Sequence, residues 1–317
     1  MTDIQPPRPT PETAPVSVWA TGQQVHATQR QGRYHRDGTA HPAKMLPALA
    51  AHAITQYTRP GDLVLDPMCG IGTSLVEAVR CGRRAVGVEY EARWAGIART
   101  SLDMARDAGW DEHAAVYTGD ARRLATILPA DYLGTVDLVL TSPPYGDSTG
   151  GHVITTPGQG VRKFDHRYGS PRDRGNLANV GLGRLLSGFT TILAATVPYL
   201  RPGGHIVITA RPWRHRAELI DLPTYLTTCA TQAGLVPVER CVALLGRLTN
   251  DGELVSHASF FQRNHVVKQR QAGIPAHVIA HEDVLIFQAD TGHATGARKT
   301  GDHADAPSAP PLLGFAA

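Results

Sequence analysis

Residues 63–78 read LVLDPMCGIGTSLVEA. An apolar run, Leu63–Val64–Leu65, ends at Asp66. Gly70 and Gly72 follow, and helical spacing of apolar residues begins after Thr73. A strand, a glycine turn and a helix in that order make a ligand-binding corner. Glycine lets the backbone turn tightly and approach a ligand closely, and a helix start offers free N–H groups. The corner is not a dinucleotide fingerprint, because Leu75 stands where the third glycine of GxGxxG belongs. Nor is it a P-loop, since no Gly-Lys-Ser/Thr follows. An acid at Asp66 beside the glycines repels a pyrophosphate and suits a ligand that carries an ammonium group.

Outward from this corner, strand and helix signals alternate. The runs 63–67, 85–90, 114–121, 136–145, 203–210, 235–245 and 282–288 read as strands. The stretches 73–82, 91–109, 185–200 and 221–234 read as helices. That rhythm predicts an α/β fold with a doubly wound, mostly parallel sheet. Ligands of such sheets bind outside the carboxyl ends of the strands, near the switch point of the strand order. Glu89 ends the second strand 23 residues after Asp66, where a doubly wound nucleotide site keeps an acid for ribose hydroxyls. Asp120 ends the third strand in the same way.

The fourth strand runs into Thr141-Ser142-Pro143-Pro144-Tyr145-Gly146-Asp147. Two prolines fix the backbone and remove two N–H donors. Carbonyls freed in this turn, with the Ser142 hydroxyl, can accept hydrogens from an amino group. Tyr145 offers a flat face on which a planar ring can stack.

These residues resemble the S-adenosylmethionine-dependent amino-methyltransferases that act on nucleic acids. DPMCGIGTS is similar to that family's glycine motif, and TSPPY to its catalytic motif. HPAKMLPALAAHAI (41–54) is similar to an additional N-terminal motif that helps to hold the methionine part of the cofactor. The resemblance spans roughly residues 41–145. It implies a Rossmann-like class I methyltransferase sheet, mostly parallel and seven-stranded, with S-adenosylmethionine as cofactor. It further implies a cofactor set of Asp66, Met68, Gly70, Gly72, Thr73, Glu89, Asp120 and Thr141. Asp66 and Gly70 would border the methionine and ribose, Glu89 would hold the ribose hydroxyls, and Asp120 would contact the adenine edge. Ser142, Pro143, Pro144 and Tyr145 would form the catalytic turn. Ser142 and the Pro143 carbonyl would orient the target amino group, with Tyr145 stacked on the base. Met68 departs from the phenylalanine usual in the family, and fills apolar space more flexibly. Lys44 receives no role. Cys69 reads as a small buried filler, since no partner base accompanies it.

The serine form of the catalytic motif is associated in this family mainly with cytosine N4 in DNA, and the Asp or Asn form with adenine N6. A related branch with PPYG methylates guanosine N2 in tRNA and carries a separate N-terminal RNA-binding domain. Only 40 residues precede His41, too few for such a domain. The expectation is therefore a DNA methyltransferase, cytosine N4 ahead of adenine N6. The alternatives are tRNA guanosine N2 methylation and a non-catalytic nucleotide-binding regulatory domain. DNA, or RNA in the alternative, is the expected partner, and a restriction enzyme belongs to the same set of expectations.

The whole chain is bland by comparison. Its 317 residues carry 31 Lys and Arg against 28 Asp and Glu, a net +3, and 42% are hydrophobic. That composition excludes wholesale disorder but names no partner. The distribution says more. Residues 146–184 hold six basic residues against three acids, again +3. Arg162, Lys163, Arg167, Arg172 and Arg174 are the candidate phosphate contacts, with Phe164 and Tyr168 interleaved. A second basic patch is Arg211, Arg214, His215 and Arg216, and a third is SFFQRNHVVKQRQAG (259–273), where Phe260 and Phe261 read as core. His281, Glu282 and Asp283 begin the last strand and read as a surface turn rather than a metal site. The four cysteines form no CxxC pair, and no metal is expected. No apolar run is long enough for a membrane span and the N-terminus lacks a signal peptide, so a cytoplasmic protein is expected. The chain divides into a leader (1–18), one methyltransferase domain (19–288) with inserted recognition loops at 146–184 and 246–280, and a tail (289–317).

Overall fold

The computed structural model describes residues 14–145, 152–156, 160–164, 169–170, 173–215 and 217–290. In chain order its elements begin with β1 (Val18–Trp19), α1 (His26–Arg30) and α2 (Pro47–Tyr57). Then come β2 (Leu63–Asp66), α3 (Thr73–Arg80), β3 (Arg84–Glu89), α4 (Ala92–Asp107), β4 (Ala114–Thr118) and β5 (Val136–Thr141). A ribbon, β6 (His152–Thr156) and β7 (Gly160–Phe164), precedes α5 (Leu182–Thr196) and β8 (Leu200–Ala210). A second ribbon, β9 (Trp213–His215) and β10 (Glu218–Ile220), precedes α6 (Leu222–Gln232) and β11 (Leu235–Leu244). A third, β12 (Gly246–Leu248) and β13 (Leu254–Ser256), leads into α7 (Phe260–Gln271) and β14 (His281–Ala289).

Eight strands form one sheet in the order β1-β11-β14-β8-β5-β2-β3-β4. β14 runs antiparallel to both neighbours, and the strands from β8 to β4 pair in parallel. This is the doubly wound, mostly parallel sheet that the alternation of strands and helices predicts. The seven expected strands are all present. The eighth, Val18–Trp19, pairs in parallel with Val242 and Ala243 at the sheet edge, so Val18, expected to close the leader, is already structure. The chain runs from β2 outward through β3 to β4, then returns to the other side of β2 as β5. The switch point therefore lies between β2 and β5.

Side chains alternate across the sheet, as the two-residue strand period requires. Leu63, Leu65, Val139, Ile206, Ile208, Leu285 and Phe287 face a core with Phe189 and Leu193 of α5 and Leu226 of α6. Val64, Leu138, Leu140, Val207, Val284 and Ile286 face the other, with Leu49 and Ile54 of α2 and Leu75 and Val79 of α3. Burial on both faces explains why these strands read as unbroken apolar runs rather than alternating ones. Emptying a fully buried position such as Phe189 costs about 3–5 kcal/mol.

Three stretches differ from their sequence reading. Residues 146–184 contain the β6–β7 ribbon, in which Val153 pairs with Lys163 and Ile154 with Arg162; the β-branched run Val153–Thr156 supplies strand preference. Residues 246–280 hold a hairpin and a helix. Gly252, in the left-handed region at φ 79°, closes the hairpin turn. Ser259 and Gln262 form a reciprocal capping box at the start of α7. His281–Asp283 open β14, as expected, but Asp283 does not lie in a surface turn: it is buried against Arg240 at 2.7 Å. Among the described residues no helix is long and apolar enough to cross a membrane, and no group of three His, Cys, Asp or Glu is placed to hold a metal ion.

Candidate active site

A cleft of about 1460 Å³ opens over the carboxyl ends of the central strands. Two turns meet in it. The glycine turn leaves β2 and the Ser142–Tyr145 turn leaves β5, and these two strands are hydrogen-bonded neighbours, with Val64 beside Leu138 and Leu65 beside Val139. Far apart in sequence, the two motifs thus share one opening at the switch point.

The glycine turn is held by carboxylates. Asp66 accepts the Met68 N–H at 3.0 Å and the Ser74 hydroxyl. Burial raises its carboxyl to about 6, against the pull of these bonds. Glu89, at the end of β3, accepts the Gly70 N–H at 2.8 Å and the Glu91 N–H at 2.9 Å. Burial raises it to about 7. Two acids close to neutrality, each able to ionise for a ligand, face the same turn. Gly70 and Gly72 both sit in the left-handed region, at φ 53° and 80°. Their missing side chains face different things. A Cβ on Gly70 would stand 3.1 Å from His41 Nε2 at the cleft, whereas one on Gly72 would stand 3.0 Å from Ala98 Cβ in α4. Gly72 therefore lets α4 pack closely. Cys69 is buried, and burial raises its thiol well above the usual range, with Asp66 and Glu89 adding to the effect. A neutral thiol is no nucleophile.

Met68 lines the cleft and packs on the core beneath it. Thr73 accepts the Arg30 guanidinium at 2.8 Å, and Thr141 is fully buried at the end of β5. Asp120 lines the cleft but is held by Arg122, whose Nη2 and Nε reach its carboxylate at 2.7 and 2.9 Å. Burial opposes its charge, and the Arg122 bonds outweigh this and hold its pKa below the usual value. Arg122 also donates to the Gly175 carbonyl at 2.9 Å, fixing the segment across the cleft.

In the other turn Pro143 is buried while Ser142, Pro144 and Tyr145 are half-buried and line the cleft. The Tyr145 ring meets Trp213 edge to face at 5.7 Å, and the Arg211 guanidinium lies 5.5 Å from its centre. Trp213 and Arg211 follow β8, the neighbour of β5 in the sheet, so sheet pairing alone brings them to the tyrosine.

Of the expected phosphate contacts, Arg162 and Lys163 lie on β7 and Arg174 is exposed beside the cleft segment 175–178. Arg167 and Arg172 lie outside the described residues, as do Tyr168, Arg216 and most of the leader and tail. Phe260 and Phe261 correct their reading as core residues: they are 74% and 43% exposed and line the cleft. Their helix is an insertion between edge-side strands and has no sheet beneath it to bury them.

Sequence reasoning missed His41 and Arg30. His41 is buried edge-on against Trp94 at 4.8 Å, and burial lowers its pKa to about 3. Arg30 donates to the Met45 carbonyl at 2.7 Å, which ties the 41–46 segment to Thr73. His41 opens the 41–54 motif, but nothing in that motif singles it out, and no local pattern marks Arg30; their contacts are made across the fold.

A family model described as DNA methylase matches residues 9–99. The tRNA (guanine(10)-N2)-dimethyltransferase of Methanocaldococcus jannaschii is 32% identical over 121 residues, 38% of this chain and 34% of that protein. The type II methyltransferase M2.DpnII of Streptococcus pneumoniae is 40% identical over 63 residues, 20% of this chain and 24% of that protein. Among solved structures, TrmN from Thermus thermophilus is 17% identical with a TM-score of 0.47, over 82% of this chain and 53% of that one. The matched stretch spans about a third of the length of the tRNA-modifying relatives. The family model and the two sequence relatives bear out the resemblance to amino-methyltransferases that act on nucleic acids.

Proposed function

We propose that this chain, similar to the DNA methylases over its N-terminal third, transfers a methyl group from S-adenosylmethionine to an exocyclic amino group of a base in nucleic acid. One observation carries the reading: the glycine turn and the Ser142–Tyr145 turn leave adjacent strands and open into one cleft.

The residues present fit the cofactor. Gly70 brings bare backbone to the cleft, and the buried Asp66 and Glu89 can ionise toward a cationic, hydroxyl-bearing ligand. Glu89 would hold the ribose hydroxyls, Asp66 and Gly70 would border the methionine and ribose, and His41 closes the wall beside Gly70. When bound, the cofactor supplies an electrophilic methyl group on a sulfonium. The chain's own part is positioning and electrostatics. An exocyclic amine is a poor nucleophile, because its lone pair is delocalised into the ring. Ser142 and the Pro143 carbonyl accept its hydrogens and draw the lone pair back onto nitrogen. The rigid Pro143–Pro144 backbone fixes those acceptors. Tyr145, braced by Trp213, stacks on the base. A base inside a duplex cannot reach this turn, so it enters flipped out.

We favour DNA, with cytosine N4 ahead of adenine N6, because the turn carries serine. A second reading, tRNA guanine N2, is favoured by the longer match to the tRNA-modifying relative. A transfer assay with labelled methyl donor on DNA and tRNA in parallel, with the labelled nucleoside identified, separates them. N4-methylcytosine from DNA supports the first, N2-methylguanosine from tRNA the second. Absence of label from both would remove the reading.

A further inference from the structure

We propose that α7 is the wall that grips the nucleic-acid strand beside the methylated nucleotide, with Phe260 and Phe261 as its stacking platforms. This rests on the reaction proposed above and names the surface that holds its substrate.

α7 has no buried residue, so core packing does not account for two adjacent phenylalanines. Their rings meet edge to face at 5.9 Å and 78°. With Phe260 at 74% and Phe261 at 43% exposure, ring surface stays open to solvent. Both rings line the cleft that contains Ser142 and Tyr145. Gln262, His265 and Gln269 line it too, and their spacing of three and four marks the helix face turned to the cleft.

Charge selects the occupant. Residues 259–273 carry Arg263, Lys268, Arg270 and His265, and no Asp or Glu. Arg263, Lys268 and Arg270 lie outside the cleft lining, but Arg211 and Arg214 line the cleft together with the two rings. Exposed aromatic rings beside cations suit a polyanion that also presents flat apolar faces, which is a nucleic-acid strand. A second copy of this chain or a protein partner would use the rings but would leave the unopposed charge unexplained.

The helix is also held in place without a core. The Ser259 N–H donates to Gln262 at 2.8 Å, Arg263 donates to the Ser256 carbonyl at 2.9 Å, and Arg270 donates to the Ala276 carbonyl at 3.1 Å. These polar ties join both ends of the helix to its flanking segments.

The test is fluorescence anisotropy with a labelled mixed-sequence DNA duplex, its single strand and bulk tRNA, beside methyl transfer on the same substrates. Phe260→Ala/Phe261→Ala should weaken nucleic-acid binding roughly ten- to hundredfold. It should raise KM for the methylated substrate and leave cofactor affinity and melting temperature unchanged. Phe260→Trp/Phe261→Trp should retain binding, and Lys268→Gln should lower the salt slope by about one. Unchanged affinity in the double alanine variant overturns the proposal. So does unchanged affinity with lost self-association in sedimentation velocity, which would assign the face to a second copy. A wild type that binds nucleic acid through α7 yet transfers no methyl group would sink the proposed reaction and leave this inference standing.

Discussion

The carboxylate of Glu89 accepts the backbone N–H of Gly70 at 2.8 Å. The end of β3 is thereby tied to the turn that leaves β2, and the position of the turn depends on the acid. Glu89→Gln replaces one carboxylate oxygen by an NH2 group. That group must then oppose either the Gly70 or the Glu91 N–H, both of which now donate to Glu89. A buried donor left facing a donor costs about 1–3 kcal/mol. The expected outcome is a lower melting temperature and weaker S-adenosylmethionine binding by calorimetry. A variant with unchanged cofactor affinity would remove Glu89 from the site.

The same residue predicts a pH dependence. Burial raises Glu89 from 4.5 to about 7 and Asp66 from 3.8 to about 6. Between the ordinary and the raised values the folded state holds more protons than the unfolded one. These two groups therefore favour folding fully below about pH 4, and that contribution is lost as pH rises through about 6 to 7. Thermal melts of the ligand-free protein across this range should show a smaller loss in Asp66→Asn and Glu89→Gln than in the wild type. Parallel melting curves would contradict the raised carboxyls.

Gly72 predicts an effect on packing. Gly72→Ala forces a side chain into φ 80° with its Cβ 3.0 Å from Ala98 Cβ. Left-handed backbone costs a non-glycine residue about 1–2 kcal/mol before the contact is added. The melting temperature should fall, and Gly72→Ala/Ala98→Gly should recover the contact part but not the backbone part. Additivity of the two changes would show that they do not touch.

Tyr145 predicts a separation of substrates. Tyr145→Ala should weaken target binding and slow turnover, roughly tenfold or more from lost stacking, while cofactor binding survives. Tyr145→Phe keeps the ring, and with it the contacts to Trp213 and Arg211, and should retain most of the activity. Equal loss of cofactor and target binding by calorimetry in Tyr145→Ala would count against a stacking role.

The two turns that line the cleft were legible because their signals are local. LVLDPMCGIGTS contains its own strand, turn and helix start, and alternating apolar runs of short and helical length imply a parallel sheet. Sequence by itself thus determined the doubly wound fold, the glycine corner, the acids at the strand ends and the Ser142–Tyr145 turn. Tertiary structure decided what these face. It set β2 against β5, turned Gly72 toward Ala98 and Gly70 toward His41, and brought the Glu89 carboxylate to the Gly70 N–H. It also left Phe260 and Phe261 exposed. The physical reason is range. Periodicity and turn chemistry act over a few residues, whereas the partner of a buried carboxyl, or the absence of a layer beneath a helix, depends on segments far away in the chain that only the packed sheet brings together.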